Sequence, residues 1–235
     1  MTSKTVAKKA FFITGTDTNV GKTLVAAGFL VAAKNKGLTT AALKPVAAGC
    51  EKTDEGLRNS DALLLQSVIT QSLAYDQINP YALEAAIAPH IAAQQEKRSL
   101  SVDRLSGICR GVLSSAQFTL VEGAGGWRVP LNARETLADL AKNLELPVIM
   151  VVGIRLGCIN HALLTFEAIA RDGLSVAGWV ANCVDADMSV LQENIDSLRA
   201  RLPIPCLGVI PYLTDASPDK VASYFDPSVL DHLMQ

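Results

Sequence analysis

The stretch GTDTNVGKT, residues 15–23, lies between a short apolar run, Ala10 to Thr14, and a helix-length segment, Thr23 to Asn35. A glycine-rich turn between a strand and a helix is the context that a phosphate-binding loop requires. Its glycines let backbone N–H groups converge on phosphate oxygens, and the next helix presents its positive N-terminal end. Lys22 would reach the terminal phosphates, and Thr23 would offer its hydroxyl to Mg²⁺. The stretch therefore predicts binding of a nucleoside triphosphate.

The spacing of this loop departs from the general motif. That motif has four residues between its first glycine and the Gly-Lys pair, whereas five residues separate Gly15 from Gly21. Thr16 therefore occupies the position of the first glycine. The alternative interpretation is a chance Gly-Lys-Thr in an ordinary strand-turn-helix, and the flanking strand and helix argue against it.

Apolar, β-rich segments recur along the chain without strict alternation, which is typical of strands buried on both faces. These segments are Ala10 to Thr14, Thr39 to Leu43, Phe118 to Val121, Val148 to Val152, Leu174 to Val180 and Cys206 to Ile210. Helix-length segments lie between or after them: Thr23 to Asn35, Ser60 to Thr70, Val102 to Ser115, Leu137 to Leu144, His161 to Arg171 and Met188 to Arg201. The alternation predicts an α/β fold, a doubly wound and mostly parallel β-sheet with helices on both faces.

Parallel sheets of this kind place their ligands at the carboxyl ends of the strands, so we expect the site in the loops that follow them. The length favours one P-loop α/β domain over residues 1–235, with residues 1–9 as a disordered tail. The stretch from Ile78 to Gln95 contains two prolines and few charges. It is the least regular part of the sequence and receives no definite structure; a loop that lies over the site or at an interface is one interpretation of it.

Composition excludes several classes of function. Hydrophobic residues make up 49% of the chain and charged residues 19%, which is typical of a folded protein rather than a disordered one. The 21 Lys and Arg nearly balance the 23 Asp and Glu, so no global field attracts nucleic acid or an anionic membrane. No apolar run reaches the roughly 18 residues of a membrane-spanning helix, and no export signal is apparent.

The cysteines and histidines of the sequence favour a protein of a reducing compartment, and they form no pattern typical of a metal site. The cysteines are odd in number, widely spaced and never in a CxxC pair: Cys50, Cys109, Cys158, Cys183 and Cys206. That pattern disfavours both a disulfide framework and a zinc site. Three scattered histidines, His90, His161 and His232, form no metal-binding pattern. We therefore expect a cytoplasmic protein.

Two acidic residues lie where a magnesium site would be completed. Glu122 follows the predicted strand Phe118 to Val121 and precedes a glycine-rich turn, so it is a candidate second Mg²⁺ ligand rather than a loop charge. Asp61 is a candidate third ligand, because Mg²⁺ bound to a triphosphate takes one or two carboxylates. Its alternative interpretation is an acidic residue that stabilises the first turn of a helix. The residues alone leave both interpretations of Asp61 open.

Two polar residues at strand ends have equally open interpretations. Lys44 follows the second predicted strand, and Pro45 forces an extended turn across the top of the sheet. Lys44 is either a solvated charge or a fixed cation that faces an anionic substrate or transition state. Asn182 ends another predicted strand, where its amide would bind the edge of a base or form a turn.

Taken together, an ordered set of motifs resembles the dethiobiotin synthetase family. The resemblance runs from about Phe11 to Tyr212. Its motifs are Gly15 to Thr23, Lys44 to Val46, Glu51 to Thr53, Glu55 to Asp61, Asn79 to Tyr81, Pro89 to His90, Val121 to Trp127, Gly157 to His161 and Gly178 to Asn182. The longer spacing of the first loop is the form found in that family.

The resemblance implies an ATP-dependent cyclo-ligase of biotin biosynthesis. Such an enzyme converts 7,8-diaminopelargonate, CO₂ and ATP to dethiobiotin, ADP and phosphate. The diamine first captures CO₂ as a carbamate, whose oxygen attacks the γ-phosphate to give a carbamic-phosphoric anhydride. The second amine then attacks that anhydride, expels phosphate and closes the cyclic urea. The resemblance also implies Mg²⁺ as cofactor, a homodimer, and no nucleic-acid or membrane partner.

Residue by residue, the resemblance implies four overlapping sets. Thr23, Asp61 and Glu122 would bind Mg²⁺, and Thr18, Lys22 and Lys44 would be catalytic residues that hold the carbamate. The substrate site would contain Thr18, Lys44, Ala48, Gly157, Cys158 and Asn160, with the Gly157 loop shared across the homodimer. The nucleotide site would contain Asn19, Val20, Gly21, Lys22, Thr23, Leu24, Asp61, Glu122, Gly123, Ala124, Gly125, Asn182, Cys183, Pro211, Tyr212 and Leu213.

Three positions depart from the family pattern. Ala48 stands where serine or threonine is common, Arg155 where lysine is common, and Asn19 where glutamate is frequent. These departures leave open a paralogue that acts on a different small amine. The alternative from another class is a partition or switch ATPase of the same fold group, which usually carries a lysine near the start of the loop. Gly15 to Asn19 contains no lysine.

Overall fold

A computed structural model describes residues 8–235 of the chain. Its strands are β1 (Lys9–Gly15), β2 (Thr40–Leu43), β3 (Val46–Ala48), β4 (Glu51–Thr53), β5 (Gly56–Arg58), β6 (Tyr81–Leu83), β7 (Phe118–Glu122), β8 (Val148–Ile154), β9 (Val176–Cys183) and β10 (Cys206–Ile210). Its helices are α1 (Lys22–Asn35), α2 (Ser60–Val68), α3 (Tyr75–Ile78), α4 (Pro89–Gln95), α5 (Val102–Leu113), α6 (Leu137–Asn143), α7 (Cys158–Arg171), α8 (Leu191–Arg201), α9 (Pro218–Ala222) and α10 (Pro227–Met234).

Six of these strands form one parallel sheet in the order β10-β9-β8-β1-β7-β2. Every neighbouring pair in that sheet is parallel. Because all six strands run the same way, their carboxyl ends lie along one edge, and the first loop leaves β1 near the middle of it. The predicted doubly wound, parallel α/β fold is confirmed.

Successive side chains of each central strand enter two separate cores, as the period of a strand requires. In β1, Phe12 packs into the core that α4 to α8 cover, whereas Phe11 and Ile13 face the core that α1, α2, α9 and α10 cover. Val148 and Ile149 of β8 divide in the same way. Burial on both faces explains why the apolar runs in the sequence did not alternate with polar residues.

Several predicted boundaries were wrong by one to three residues, among them the start of α8, at Leu191 instead of Met188. Helix α7 begins at Cys158 instead of His161, because Gly157 at φ 91° caps it in the left-handed region. Strand β9 extends to Cys183, so Asn182 lies inside the strand rather than at its end. Lys9 is the first residue of β1 and pairs with Phe118, so it does not belong to a disordered tail.

Lys8 also departs from the tail prediction, because its Nζ donates to the carbonyl oxygen of Ser114 at 2.6 Å. The rest of the predicted tail, residues 1–7, lies outside the described residues. Over residues 8–235, no helix combines the length and apolar character that crossing a membrane would need.

The stretch Ile78 to Gln95, to which the sequence assigned no definite structure, contains regular elements. Tyr81 to Leu83 form β6, which pairs in parallel with β3, and Pro89 starts α4 at the first helical position. Proline suits that position because the first N–H groups of a helix have no intrahelical partner. The three-residue strand and seven-residue helix are too short to show periodicity in the sequence.

Candidate active site

A cleft of about 910 Å³ opens where the first loop, the end of β2, the end of β7 and the start of α2 meet. Twelve of the predicted site residues line it: Thr18, Asn19, Gly21, Lys22, Thr23, Leu24, Lys44, Ala48, Asp61, Glu122, Ala124 and Gly125. Residues from four separate segments of the sequence therefore converge on one cavity, at the sheet edge that the fold predicts.

The first loop is held in shape by Gly21 and Asn182. Gly21 adopts φ 83° and precedes α1, and a Cβ at this position would overlap Asn182 Nδ2. That amide nitrogen donates to the carbonyl oxygen of Val20 at 2.9 Å. Glycine is thus required at residue 21 both for the left-handed backbone and for space. Helix α1 has no acidic residue in its first turn, so its positive end faces the cleft unneutralised.

Lys22 is a buried cation within this loop. Its ammonium group donates to the carbonyl oxygen of Asp17 at 3.1 Å. Burial lowers the pKa of Lys22 to about 8, although nearby Glu122 acts in the opposite direction. The Asp17 carboxylate is itself bound by Arg155 from the end of β8, at 2.5 Å. The loop is therefore tied to the end of the neighbouring strand β8.

A second buried cation, Lys44, lies between the two predicted carboxylate ligands. Lys44 Nζ is 2.5 Å from Glu122 Oε1 and 2.7 Å from Asp61 Oδ2. Thr23 Oγ1 also donates to Glu122 Oε1, at 2.7 Å. Lys44 is 4% exposed and Glu122 is 1% exposed. Neither residue is the solvated surface charge that the alternative interpretation described.

The charges in this cluster shift one another's pKa values. Burial alone would lower the pKa of Lys44, but the carboxylates of Glu122 and Asp61 outweigh it and raise the pKa. Burial would likewise raise the pKa of Asp61, yet the Lys44 ammonium holds it below its ordinary value. Both shifts favour the charged forms of Lys44 and Asp61, and the Lys44 ammonium contacts two carboxylates at once.

The donor set of the cleft fits a magnesium ion. Glu122 Oε2 is buried and has no hydrogen-bond partner among residues 8–235, which leaves one lone-pair-bearing oxygen free for a cation. Asp61 and the Thr23 hydroxyl supply further oxygens close to it. Mg²⁺ prefers such hard oxygen ligands and usually takes one or two carboxylates beside phosphate oxygens.

Asp61 combines the two interpretations that the sequence left open. It is the second residue of α2 and lies in the first turn, where a carboxylate stabilises the helix dipole. It also lines the cleft and pairs with Lys44. Asn59 caps the helix, since its Oδ1 accepts from the backbone N–H groups of Asp61 and Ala62.

Other predicted site residues do not line this cleft in the described part of the chain. They are Val20, Gly123, Gly157, Cys158, Asn160, Asn182, Cys183, Pro211, Tyr212 and Leu213. The side chains of Val20, Cys158 and Cys183 are buried in the cores. Asn182 lies behind the first loop, while the segment after β10 contains the half-exposed Tyr212. Their proposed contacts with nucleotide or substrate stay predictions.

Sequence reasoning missed a group of mostly apolar residues in the cleft wall: Ala47, Asn59, Leu64, Ala86, Ile87, Ala88, Pro89, Val129 and Pro130. Residues 86–89 come from Ile78 to Gln95, a stretch that the sequence allows to lie over the site or at an interface, and they do line the cleft. Small and apolar residues carry no chemical signature, so only their position in space shows their role.

The parallel sheet order, the glycine-rich loop after β1 and the buried cations define the class of protein. This is a P-loop nucleotide-binding α/β protein. The family described as "AAA domain" matches residues 9–220. A ParA family ATPase from Chlorobium tepidum shares the fold, with a TM-score of 0.56 and 16% identity over 98% of this chain and 99% of that chain.

The sequence is also similar to those of curated enzymes over nearly its whole length. An ATP-dependent dethiobiotin synthetase BioD of Cellvibrio japonicus is 67% identical over 94% of this chain and 97% of that protein. The enzyme of the same description in Pseudomonas paraeruginosa is 61% identical over 92% of this chain and 96% of that protein. The chain belongs to the ATP-dependent dethiobiotin synthetase family.

Proposed function

We propose that this protein catalyses ATP-dependent ring closure of 7,8-diaminopelargonate with CO₂ to give dethiobiotin, ADP and phosphate. Membership of the synthetase family supports the overall reaction. The observation that carries the assignment of roles is the convergence of two buried cations, Lys22 and Lys44, with Asp61 and Glu122 in one cleft. Phosphoryl transfer depends on positioning and on charge stabilisation, which such a cluster supplies.

The nucleotide end of the cleft is the first loop and the start of α1. Backbone N–H groups at the unneutralised N-terminus would bind the phosphates of ATP. Lys22 would face the γ-phosphate, while Thr23, Asp61 and Glu122 would hold Mg²⁺. When bound, the metal neutralises negative charge on the phosphates. Asn182 and the segment Pro211 to Leu213 would contact the base.

The substrate end would lie beside Lys44 and Thr18. We propose that these residues orient the carbamate formed from one amine and CO₂, so that its oxygen lies in line with the γ-phosphate. The small and apolar wall that contains Ala48 and residues 86–89 suits the aliphatic chain of the substrate. Because Ala48 has no hydroxyl, only its backbone would hydrogen-bond the substrate there.

We further propose a homodimer in which the loop Gly157 to Asn160 completes the substrate site of the partner. Leu156 is 93% exposed and Leu164 is 57% exposed, on either side of this loop and its helix start. An apolar pair beside a predicted substrate loop is consistent with an interface. Sedimentation of the purified protein as a monomer at assay concentration would contradict this arrangement.

The first expected result is that phosphate release requires both the diamine and CO₂. The proposed acceptor of the γ-phosphate is a carbamate, which forms only when both are present. Phosphate should be measured with purified protein, ATP, Mg²⁺ and bicarbonate, with and without 7,8-diaminopelargonate. Equal release without the diamine would contradict the synthetase function and favour a switch ATPase. Phosphate release with a different diamine, but not with 7,8-diaminopelargonate, would indicate a paralogue that acts on another small amine.

The second expected result concerns the two carboxylates. Asp61→Asn and Glu122→Gln should each raise the Mg²⁺ concentration needed for half-maximal activity, because a neutral amide coordinates this hard cation less well. The measurement is a Mg²⁺ titration at saturating ATP. Glu96→Gln, at a partly exposed ion pair with Arg98 outside the cleft, is the control for the same chemical change as Glu122→Gln. If both site variants need the same Mg²⁺ concentration as the wild-type protein, Asp61 and Glu122 are not ligands of the metal.

A further inference from the structure

A chain of buried hydrogen bonds lies directly behind Lys44 and Asp61. The backbone N–H of Asn59 donates to Tyr75 Oη at 2.7 Å, and the Tyr75 hydroxyl donates to Asn79 Oδ1 at 3.0 Å. Asn79 Nδ2 then donates to the carbonyl oxygen of Lys44 at 2.7 Å. Every donor in this relay points in the same direction, so each bond polarises the next.

The three polar residues of the relay have little contact with water. Asn59 is 6%, Tyr75 8% and Asn79 2% exposed. A buried polar group that loses its partner costs more than the bond contributes when formed, so each member holds the next in place. The guanidinium of Arg58 lies 4.2 Å from the centre of the Tyr75 ring and fixes that ring from its face.

Each end of the relay reaches a charged residue of the cleft. At one end, Asn59 Oδ1 accepts from the backbone N–H of Asp61 at 3.1 Å and so sets the start of α2. At the other end, the side-chain amide of Asn79 donates to the carbonyl oxygen of Lys44. The backbone N–H of Lys44 donates to the carbonyl oxygen of Ile78 at 2.8 Å. The ion pair between Lys44 Nζ and Asp61 Oδ2 joins the same two elements, the end of β2 and the start of α2.

We propose that Asn59, Tyr75 and Asn79 are positioning residues, which hold Lys44 and Asp61 at a fixed separation for phosphoryl transfer. Without the relay, the Lys44–Asp61 ion pair would still join the end of β2 to the start of α2, but through two side chains that can change rotamer. The proposal rests on the functions proposed above for Lys44 and Asp61.

The test is Tyr75→Phe, which removes one hydroxyl and preserves the ring. The matched control is Tyr81→Phe, because Tyr81 Oη is also buried but has no hydrogen-bond partner in the described residues 8–235. Tyr75→Phe breaks two hydrogen bonds of the relay, the one accepted from Asn59 N–H and the one donated to Asn79 Oδ1. We expect it to lower kcat about tenfold, because the relay no longer orients the reacting groups. The KM for ATP should stay within about twofold of wild type, since the first loop is intact. Tyr81→Phe should match wild type.

A binding measurement tests the relay without turnover. The affinity for ADP is measured by calorimetry with Mg²⁺ and again with EDTA. The affinity with Mg²⁺ divided by the affinity with EDTA, called the Mg²⁺ ratio, reports how well the carboxylates bind the metal beside the nucleotide. Tyr75→Phe should lower this ratio, and Tyr81→Phe should not. The double variant Tyr75→Phe with Asp61→Asn should have about the same ratio as Asp61→Asn alone, because residues that act as one unit are not additive.

Three outcomes would overturn the proposal. One is a folded Tyr75→Phe protein with wild-type kcat and wild-type Mg²⁺ ratio, even if its Tm is lower, because that describes a structural role only. Another is full additivity with Asp61→Asn. The third is an equal loss in Tyr81→Phe. If Tyr75→Phe fails to fold, Asn79→Leu tests the Lys44 end in the same assays. A wild-type protein that makes no dethiobiotin contradicts the proposed function instead, and the binding ratio still decides the relay.

Discussion

Lys22→Ala is expected to lower kcat about 100- to 1000-fold, corresponding to about 2.7–4 kcal/mol of transition-state stabilisation. That is the typical effect of removing one preorganised donor that faces developing charge. Lys22 is 7% exposed and already bound to the first loop through Asp17, so it costs little reorganisation when the γ-phosphate is transferred. The measurement is steady-state phosphate release at saturating ATP, diamine and bicarbonate.

Lys34→Ala is the control for this variant. Lys34 lies in the last turn of the same helix and is exposed, so its replacement makes the same chemical change away from the cleft. We expect Lys34→Ala to keep wild-type kcat and Lys22→Ala to bind ATP more weakly as well. A Lys22→Ala protein with more than half of wild-type kcat would show that this cation does not stabilise the transition state.

Lys44→Ala is expected to reduce kcat by a similar factor, about 100-fold or more, but to leave the affinity for ATP largely intact. Lys44 lies on β2's side of the cleft, outside the loop that binds the phosphates, and it is proposed to hold the carbamate. Single-turnover phosphate release and ATP binding by calorimetry separate the two effects. Loss of ATP binding with wild-type kcat would contradict the assignment of Lys44 to the substrate side.

The structure adds a second consequence for Lys44→Ala. Removing this ammonium leaves Glu122 and Asp61 without the cation that bonds directly to both, and breaking a buried pair typically costs about 3–5 kcal/mol. Asp61 is partly exposed, so the loss should be at the lower end of that range or below it. Thermal unfolding should show a lowered Tm, which Mg²⁺ partly restores. Lys52→Ala, at an exposed ion pair, should unfold like wild type.

The fold was predictable because its signals are local. Each central strand is a short apolar run, and each long helix lies beside or between such runs. The pattern of apolar residues and the length of each segment therefore suffice to find both kinds of element. The loop GTDTNVGKT is local in the same sense, since its chemistry lies in nine consecutive residues. Errors arose in β6, α4 and the start of α7, where elements are short or are set by a single left-handed glycine.

The sequence by itself determined the parallel sheet and predicted Lys22 and Glu122 beside its strand ends, but the residues alone left Lys44 and Asp61 with two interpretations each. Tertiary structure alone decided how they meet. Lys44 bridges both carboxylates, and residues 86–89 form part of the cleft wall. Tyr75 and Asn79 lie behind the two charges. The physical reason is that residues up to 78 positions apart make these contacts, whereas sequence patterns report only on neighbours within a few turns.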